Sequence, residues 1–177
     1  MRGGVSRVTY LLVAAMAGLL AGCPYSSEVP LSPVEGARID EDLVGRWLLK
    51  RADPGPSGSM TFIPFNEHEF VVVFQEQGAD EPDLARAFVS LVGGEKFLNV
   101  QSVRTATGPR RWEFLQYVVA DGKLTYRVVD DRLFPRGDDK VYPAIRSSSE
   151  AFSEFVRAHL RKDDLYDKEV TTLTKEK

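Results

Sequence analysis

The side chains in this chain that could do chemistry are few. Its 177 residues include one cysteine and two histidines, so Cys23, His68 and His159 decide much of the nucleophilic, acid–base or metal chemistry open to it. His68 stands between Glu67 and Glu69 at the predicted start of a strand, where alternation turns it away from both carboxylates. A metal site there needs ligands from elsewhere in the fold, and the residue reads as a turn or surface histidine. His159 falls on the apolar stripe of a predicted helix and reads as a packed residue rather than a base. No serine lies in a Gly-x-Ser-x-Gly setting, and a triad would have to recruit one of the same two histidines. Asp130, Asp131, Asp138, Asp139, Asp163, Asp164 and Asp167 lack the glycine-turned spacing of a calcium loop and read as solvated loop acids. Gly93-Gly94 and Gly55-x-x-Gly58 have neither the lysine nor the strand-to-helix setting of a phosphate cradle and read as turns. These residues predict no enzyme, no metal centre and no cofactor.

Cys23 has a more definite setting. Arg2 and Arg7 give a positive start with no acidic residue before Glu28, and residues 8–21 are almost wholly apolar or small. That length suits a secretory signal and falls short of the roughly 20 residues that span a bilayer. Leu20-Ala21-Gly22-Cys23, at its end, resembles the lipobox of bacterial lipoproteins. The resemblance implies cleavage between Gly22 and Cys23, a diacylglyceryl thioether on Cys23, acylation of the new amine and loss of residues 1–22. Two or more acyl chains hold stably where one holds marginally, so the mature protein is expected to be attached to the membrane without spanning it. Pro24, where an aspartate would favour inner-membrane retention, implies the outer membrane facing the periplasm, or the cell surface in a monoderm host.

Lipidation consumes the only cysteine, so no disulfide is expected and the exported domain must rely on its core. Without Arg2 and Arg7 the chain has 21 basic against 26 acidic residues. This excess of negative charge argues against nucleic acid and against electrostatic docking on anionic lipid. Residues 23–41 contain three prolines between positions 24 and 33 and show no helical or strand period. They read as a tether with a reach of roughly 25 Å as a flexible coil and about 55 Å as polyproline II. The alternative is a partner-docking segment in which Tyr25, Val29 and Leu31 add a strand to another protein.

The globular domain is expected at 42–177. Apolar segments at 43–49, 60–63, 69–74, 86–92, 97–103, 111–119, 124–129 and 170–174 read as strands. Asp121-Gly122 supplies the positive φ of a tight hairpin. The run 69–74 suggests burial on both faces or a strongly apolar outer face. Ser147 and Glu150 form a capping box for a helix at about 148–162, whose Phe152, Phe155, Val156, His159 and Leu160 share one face that should dock on the sheet. The pattern predicts a mainly β antiparallel meander, closed into a barrel or bent into a half-barrel, with one C-terminal helix packed on it.

Gly45-Arg46-Trp47, opening the first strand, resembles the Gly-x-Trp signature of lipocalins and other calycins, and a helix before the last strand resembles their order. The resemblance implies a tryptophan closing one end of a barrel with a late arginine packed over it; the predicted last strand has no arginine. The tether and first strand together look like a group of uncharacterised bacterial lipoproteins, which carries no known activity. Two function classes follow. One is a lipid-anchored barrel holding a small apolar or amphipathic ligand, with Phe62, Phe70, Phe74, Phe88, Phe97 and Tyr117 among its aromatics. The other is an envelope interaction or assembly module without a pocket, in which those aromatics form a solid core. A cavity of several hundred Å³ would favour the first, and a solid interior the second.

Overall fold

A computed structural model describes residues 24–49, 57–103, 110–134 and 145–176. The predicted signal segment, Cys23, Gly55, Asp138 and Asp139 lie outside the described residues. Eight antiparallel strands follow one another around a closed barrel: β1 (Gly45–Leu49), β2 (Gly58–Pro64), β3 (Phe70–Glu76), β4 (Asp83–Val92), β5 (Glu95–Ser102), β6 (Glu113–Ala120), β7 (Lys123–Val128) and β8 (Thr171–Lys175). Closure comes from β8 pairing with β1, Trp47 opposite Lys175 and Leu48 opposite Thr174. Closing the sheet leaves no free strand edge. The helix α1 (Ser149–His159) lies between β7 and β8 and buries Phe152 and Val156.

The strands form where alternating side chains have something to cover on the inner face. Trp47, Met60, Phe62, Phe70, Val72, Ala87, Leu98, Leu115, Tyr117, Tyr126 and Leu173 point inward and form one core. Registers such as Leu98↔Leu115 and Tyr117↔Tyr126 keep apolar residues opposite one another on that face. In β3 only Phe70 and Val72 are buried, while Val71 and Val73 are half-buried on the outer wall, so this strand has an apolar outer face rather than two buried ones. The hairpin between β6 and β7 turns at Asp121 (φ 52°) and Gly122 (φ 69°), the geometry expected of Asp-Gly.

A second core lies outside the barrel. Phe88, Val92, Phe97 and Phe114 point outward from β4, β5 and β6 and meet Phe152 and Val156 of α1. The helix is capped by Ser148, whose Oγ accepts from the Ala151 N–H at 3.2 Å, and not by Ser147. Residues 145–147 are already helical, which moves the cap one position along.

Residues 24–37 complete this outer layer, and here the expectation of a solvated tether is corrected. Tyr25, Ser27, Leu31 and Ala37 are buried. The segment begins at the rim where β7 ends: Pro24 bridges Asp130, the Tyr25 N–H donates to Val129 O at 2.9 Å, and Ser27 and Trp112 exchange two backbone hydrogen bonds. It then runs along the outer wall to the opposite rim, where His68 Nδ1–H donates to Ala37 O at 2.8 Å. The folded unit therefore starts by residue 24 rather than at 42. Prolines remove periodicity from a sequence, but they do not stop an extended chain from packing wherever a matching wall exists.

The middle of this strap is fixed by a buried amide. Asn99 is fully buried on the outer face of β5; its Oδ1 accepts from the Leu31 N–H at 2.8 Å, and its Nδ2 donates to Phe88 O and to Ser90 Oγ. Ser90 in turn hydrogen-bonds Ser32 at 2.6 Å. Replacing Asn99 by alanine leaves the Leu31 N–H without its acceptor, at a cost of about 1–3 kcal/mol. Urea unfolding of the Asn99→Ala protein should show that loss, and an unchanged midpoint would mean that the strap is not held there.

Candidate functional site

The barrel interior is the natural place for a ligand, and among the described residues side chains fill it. A cavity of about 10 Å³ among the described residues is bounded by Leu43, Met60, Phe62, Leu98, Tyr117 and Tyr126, with Leu115 and Leu124. That is room for about one water, against the ~300–1,000 Å³ of small-molecule pockets. Of the six aromatics considered for a ligand wall, Phe62, Phe70, Phe74 and Tyr117 belong to the inner core, whereas Phe88 and Phe97 face out beneath the strap and α1. Phe62 and Phe70 meet edge to face with centroids 5.8 Å apart, an arrangement that packs the interior tightly.

The end of the barrel that carries the β2–β3, β4–β5 and β6–β7 turns is closed by the chain leading into β1. Leu43 is fully buried in the inner core, and its carbonyl accepts from Trp47 Nε1–H at 2.7 Å. Gly45 has φ 115°, a conformation that side chains resist, and it redirects the chain from this cap into β1. Lys175 of β8 sets its ammonium 5.1 Å from the centre of the Trp47 ring and donates to Asp42 O. The cation over the tryptophan is thus a lysine, one residue beyond the predicted strand 170–174, where the resemblance implied an arginine.

One polar cluster fastens the cap. Asp40 Oδ2 accepts from Tyr117 Oη–H at 2.7 Å and from Lys96 Nζ at 2.6 Å. Burial by itself would raise the Asp40 pKa, but the Lys96 and Tyr117 hydrogen bonds, the Lys96 charge and the Asp42 N–H together hold it below the ordinary carboxylate value. Burial, the hydrogen bond to Asp40 and the nearby acids push the Tyr117 phenol upward. A carboxylate kept ionised with its oxygen engaged, facing a phenol that holds its proton, is a fastening rather than an acid–base pair.

The sign of its pH dependence follows. A depressed folded pKa gives stability that is present above the unfolded value near 3.8 and is lost as pH falls through the folded value. Asp40→Asn should cost about 1–3 kcal/mol at neutral pH and remove part of the protein's loss of stability below pH ~4. Chemical denaturation at pH 7 and pH 3 tests both. Equal losses at the two pH values would separate Asp40 from the acid transition.

The other candidates are dispersed. His159 Nδ1–H donates to Phe155 O, and its ring stacks on Phe155 at 4.4 Å. His68 holds the end of the strap through Ala37 O, and among the described residues the two histidines share no hydrogen-bond partner. Asp130, expected in solvent, is 1% exposed, and its Oδ1 accepts from the backbone N–H and Nε of Arg132 at 2.8 and 2.9 Å. The bridge to Pro24 and the cover of Leu165 exclude water from it. Asp163 and Asp164 are exposed, and Asp167 accepts from the Glu169 N–H. Among the described residues no three His, Cys, Asp or Glu side chains come together as a metal set, and no helix is long and apolar enough to cross a membrane.

Asp40, Lys96 and Lys175, which fasten the cap, and Asn99, which holds the strap, stand in no motif or period of the sequence. Asn99 alone left a trace, as an amide inside the apolar run 97–100. No protein-family model, no curated protein and no solved structure matches this chain.

Proposed function

We propose that this chain is a bacterial lipoprotein, lipidated at Cys23 and held on the envelope membrane, whose barrel serves as an interaction or assembly module rather than as a carrier of small ligands. The interior packing supports the second half of this reading: among the described residues the barrel leaves a cavity of about 10 Å³ beneath a fastened cap, far below the size of a small-molecule pocket. The positive start, the apolar run and Leu20-Ala21-Gly22-Cys23 support the first half. The Trp47 closure and its Lys175 cation support a calycin-like build for the barrel. The outer membrane is the site favoured by Pro24.

Growth of the expressing bacterium with an alkyne fatty acid tests the anchor. The label should appear on the full chain and disappear in Cys23→Ser, which should also leave the membrane fraction. Label on the Cys23→Ser protein would refute the anchor. Native mass spectrometry of the same material tests the module: a clean protein mass is expected, and a stoichiometric apolar adduct lost on denaturation would return the barrel to ligand binding.

A further inference from the structure

We infer that the barrel sits directly on the membrane with a fixed orientation, the rim where β7 ends against the lipid headgroups and the capped rim pointing away. This rests on the reading of Cys23 as the lipidated residue and adds what the strap geometry requires of it. An anchor on a free linker would let the domain turn in any direction and rise tens of ångströms. Here the fold begins one residue after the anchor. Pro24 is bridged to Asp130, Tyr25 is buried with its N–H on Val129 O, and its ring stacks on Phe134 at 3.5 Å between centroids. Consecutive Cα atoms are about 3.8 Å apart across a trans peptide, so acyl chains on the residue that precedes Pro24 would emerge at this rim.

The strap then climbs the wall to His68 at the other rim, which fixes which end is near. β6 spans eight residues between the rims, about 25 Å along the strand and about 20 Å along a barrel axis tilted as usual. The near rim presents exposed Arg110 and Arg111 beside Trp112, and exposed Val170. The two arginines suit a headgroup layer, with apolar stems and charged ends. The same rim carries exposed Asp80, Glu81, Asp163 and Asp164, so attraction to anionic lipid is not what holds it; the covalent anchor is. The far rim, with Phe65 70% exposed at the β2–β3 turn, is the face left for envelope partners.

Resonance energy transfer to the membrane separates a seated barrel from a tethered one. The full chain, processed and lipidated in the bacterium, is purified with one added thiol, Lys168→Cys at the near rim or Glu67→Cys at the far rim. Each is labelled with a donor and reconstituted into phosphatidylethanolamine–phosphatidylglycerol vesicles containing an acceptor lipid. The near-rim donor should transfer at a rate several-fold higher than the far-rim donor. A Gly-Ser linker inserted between Cys23 and Pro24 should bring the two together. Equal transfer from both sites without the linker, or greater transfer from Glu67→Cys, would overturn the orientation. Protein that folds but fails to bind vesicles would instead defeat the lipidation on which the inference rests.

Discussion

A chain that starts at residue 42 is expected to yield aggregated or molten protein, whereas one that starts at residue 24 should give a soluble domain with a single cooperative unfolding transition. The shorter chain keeps all eight strands and α1, so strand content alone would suggest that it is complete. What it loses is the outer coat. Tyr25, Leu31 and Ala37 pack in the layer that contains Phe88, Phe97, Phe114 and Phe152. Covering Tyr25 and Leu31 alone is worth about 3–6 kcal/mol at the usual 1.5–3 kcal/mol for a fully buried large apolar side chain. The stranded Asn99 amide adds about 1–3 kcal/mol. The cap residues Asp40 and Tyr117 also part company. Against a total stability of about 5–15 kcal/mol for a domain of this size, the sum is most or all of the margin.

The same truncation uncovers a continuous aromatic strip, which is an aggregation hazard by itself. Dye binding to exposed apolar surface, near-ultraviolet circular dichroism and sedimentation would show the difference. Leu31→Ala within the 24–177 chain provides the graded version, with an expected loss of about 2–5 kcal/mol. If the 42–177 chain unfolds with the same midpoint as the longer one, the strap is decoration and the fixed seating on the membrane fails with it.

The contrast between strap and strands shows where the sequence was legible. Segments 43–49, 69–74, 97–103 and 124–129 each fall within a residue or two of a strand, because one buried face forces alternation and Asp121-Gly122 declares its turn. β4 starts at Asp83 rather than 86, since Leu84 and Ala85 lack the β-branched character that marks a strand. The closing strand was visible only as a short threonine-rich run, and its pairing with β1 is a long-range fact. The strap was illegible for a different reason. Its residues form no period of their own, and they are buried because β4, β5 and β6 present Phe88, Phe97 and Phe114 outward. Those outward aromatics were the available sign that something must cover that wall. Whether inward aromatics line a cavity or fill one depends on the cap at Leu43 and Asp40, which no local pattern announces.

Glu113 should make the protein less stable as pH rises from about 4.5 to about 7, the reverse of the trend that Asp40 sets in acid. β6 directs Glu113 inward: it pairs with Val100 and shares a face with Leu115 and Tyr117. Burial pushes its carboxyl up from 4.5 to about 7, because low-dielectric surroundings penalise the charged form. With the folded pKa above the unfolded one, the native state holds its proton between those values and the unfolded state does not. Stability therefore falls across that interval and levels off above it. The shift corresponds to at most about 3 kcal/mol.

Glu113→Gln keeps the shape and removes the charge, so it should gain about 2–3 kcal/mol at pH 8 and leave stability nearly flat between pH 4.5 and 7. Urea midpoints across that range for both proteins decide it, with parallel profiles defeating the assignment. Because the Asp40 contribution is lost only below about pH 4 and the Glu113 penalty grows only above about pH 4.5, the two carboxyls place the most stable pH between their windows. A protein tuned only for stability would carry an apolar residue at position 113. Glu113 opens β6 at the rim where β7 ends, and the charge it acquires above its raised pKa is what the glutamine variant removes.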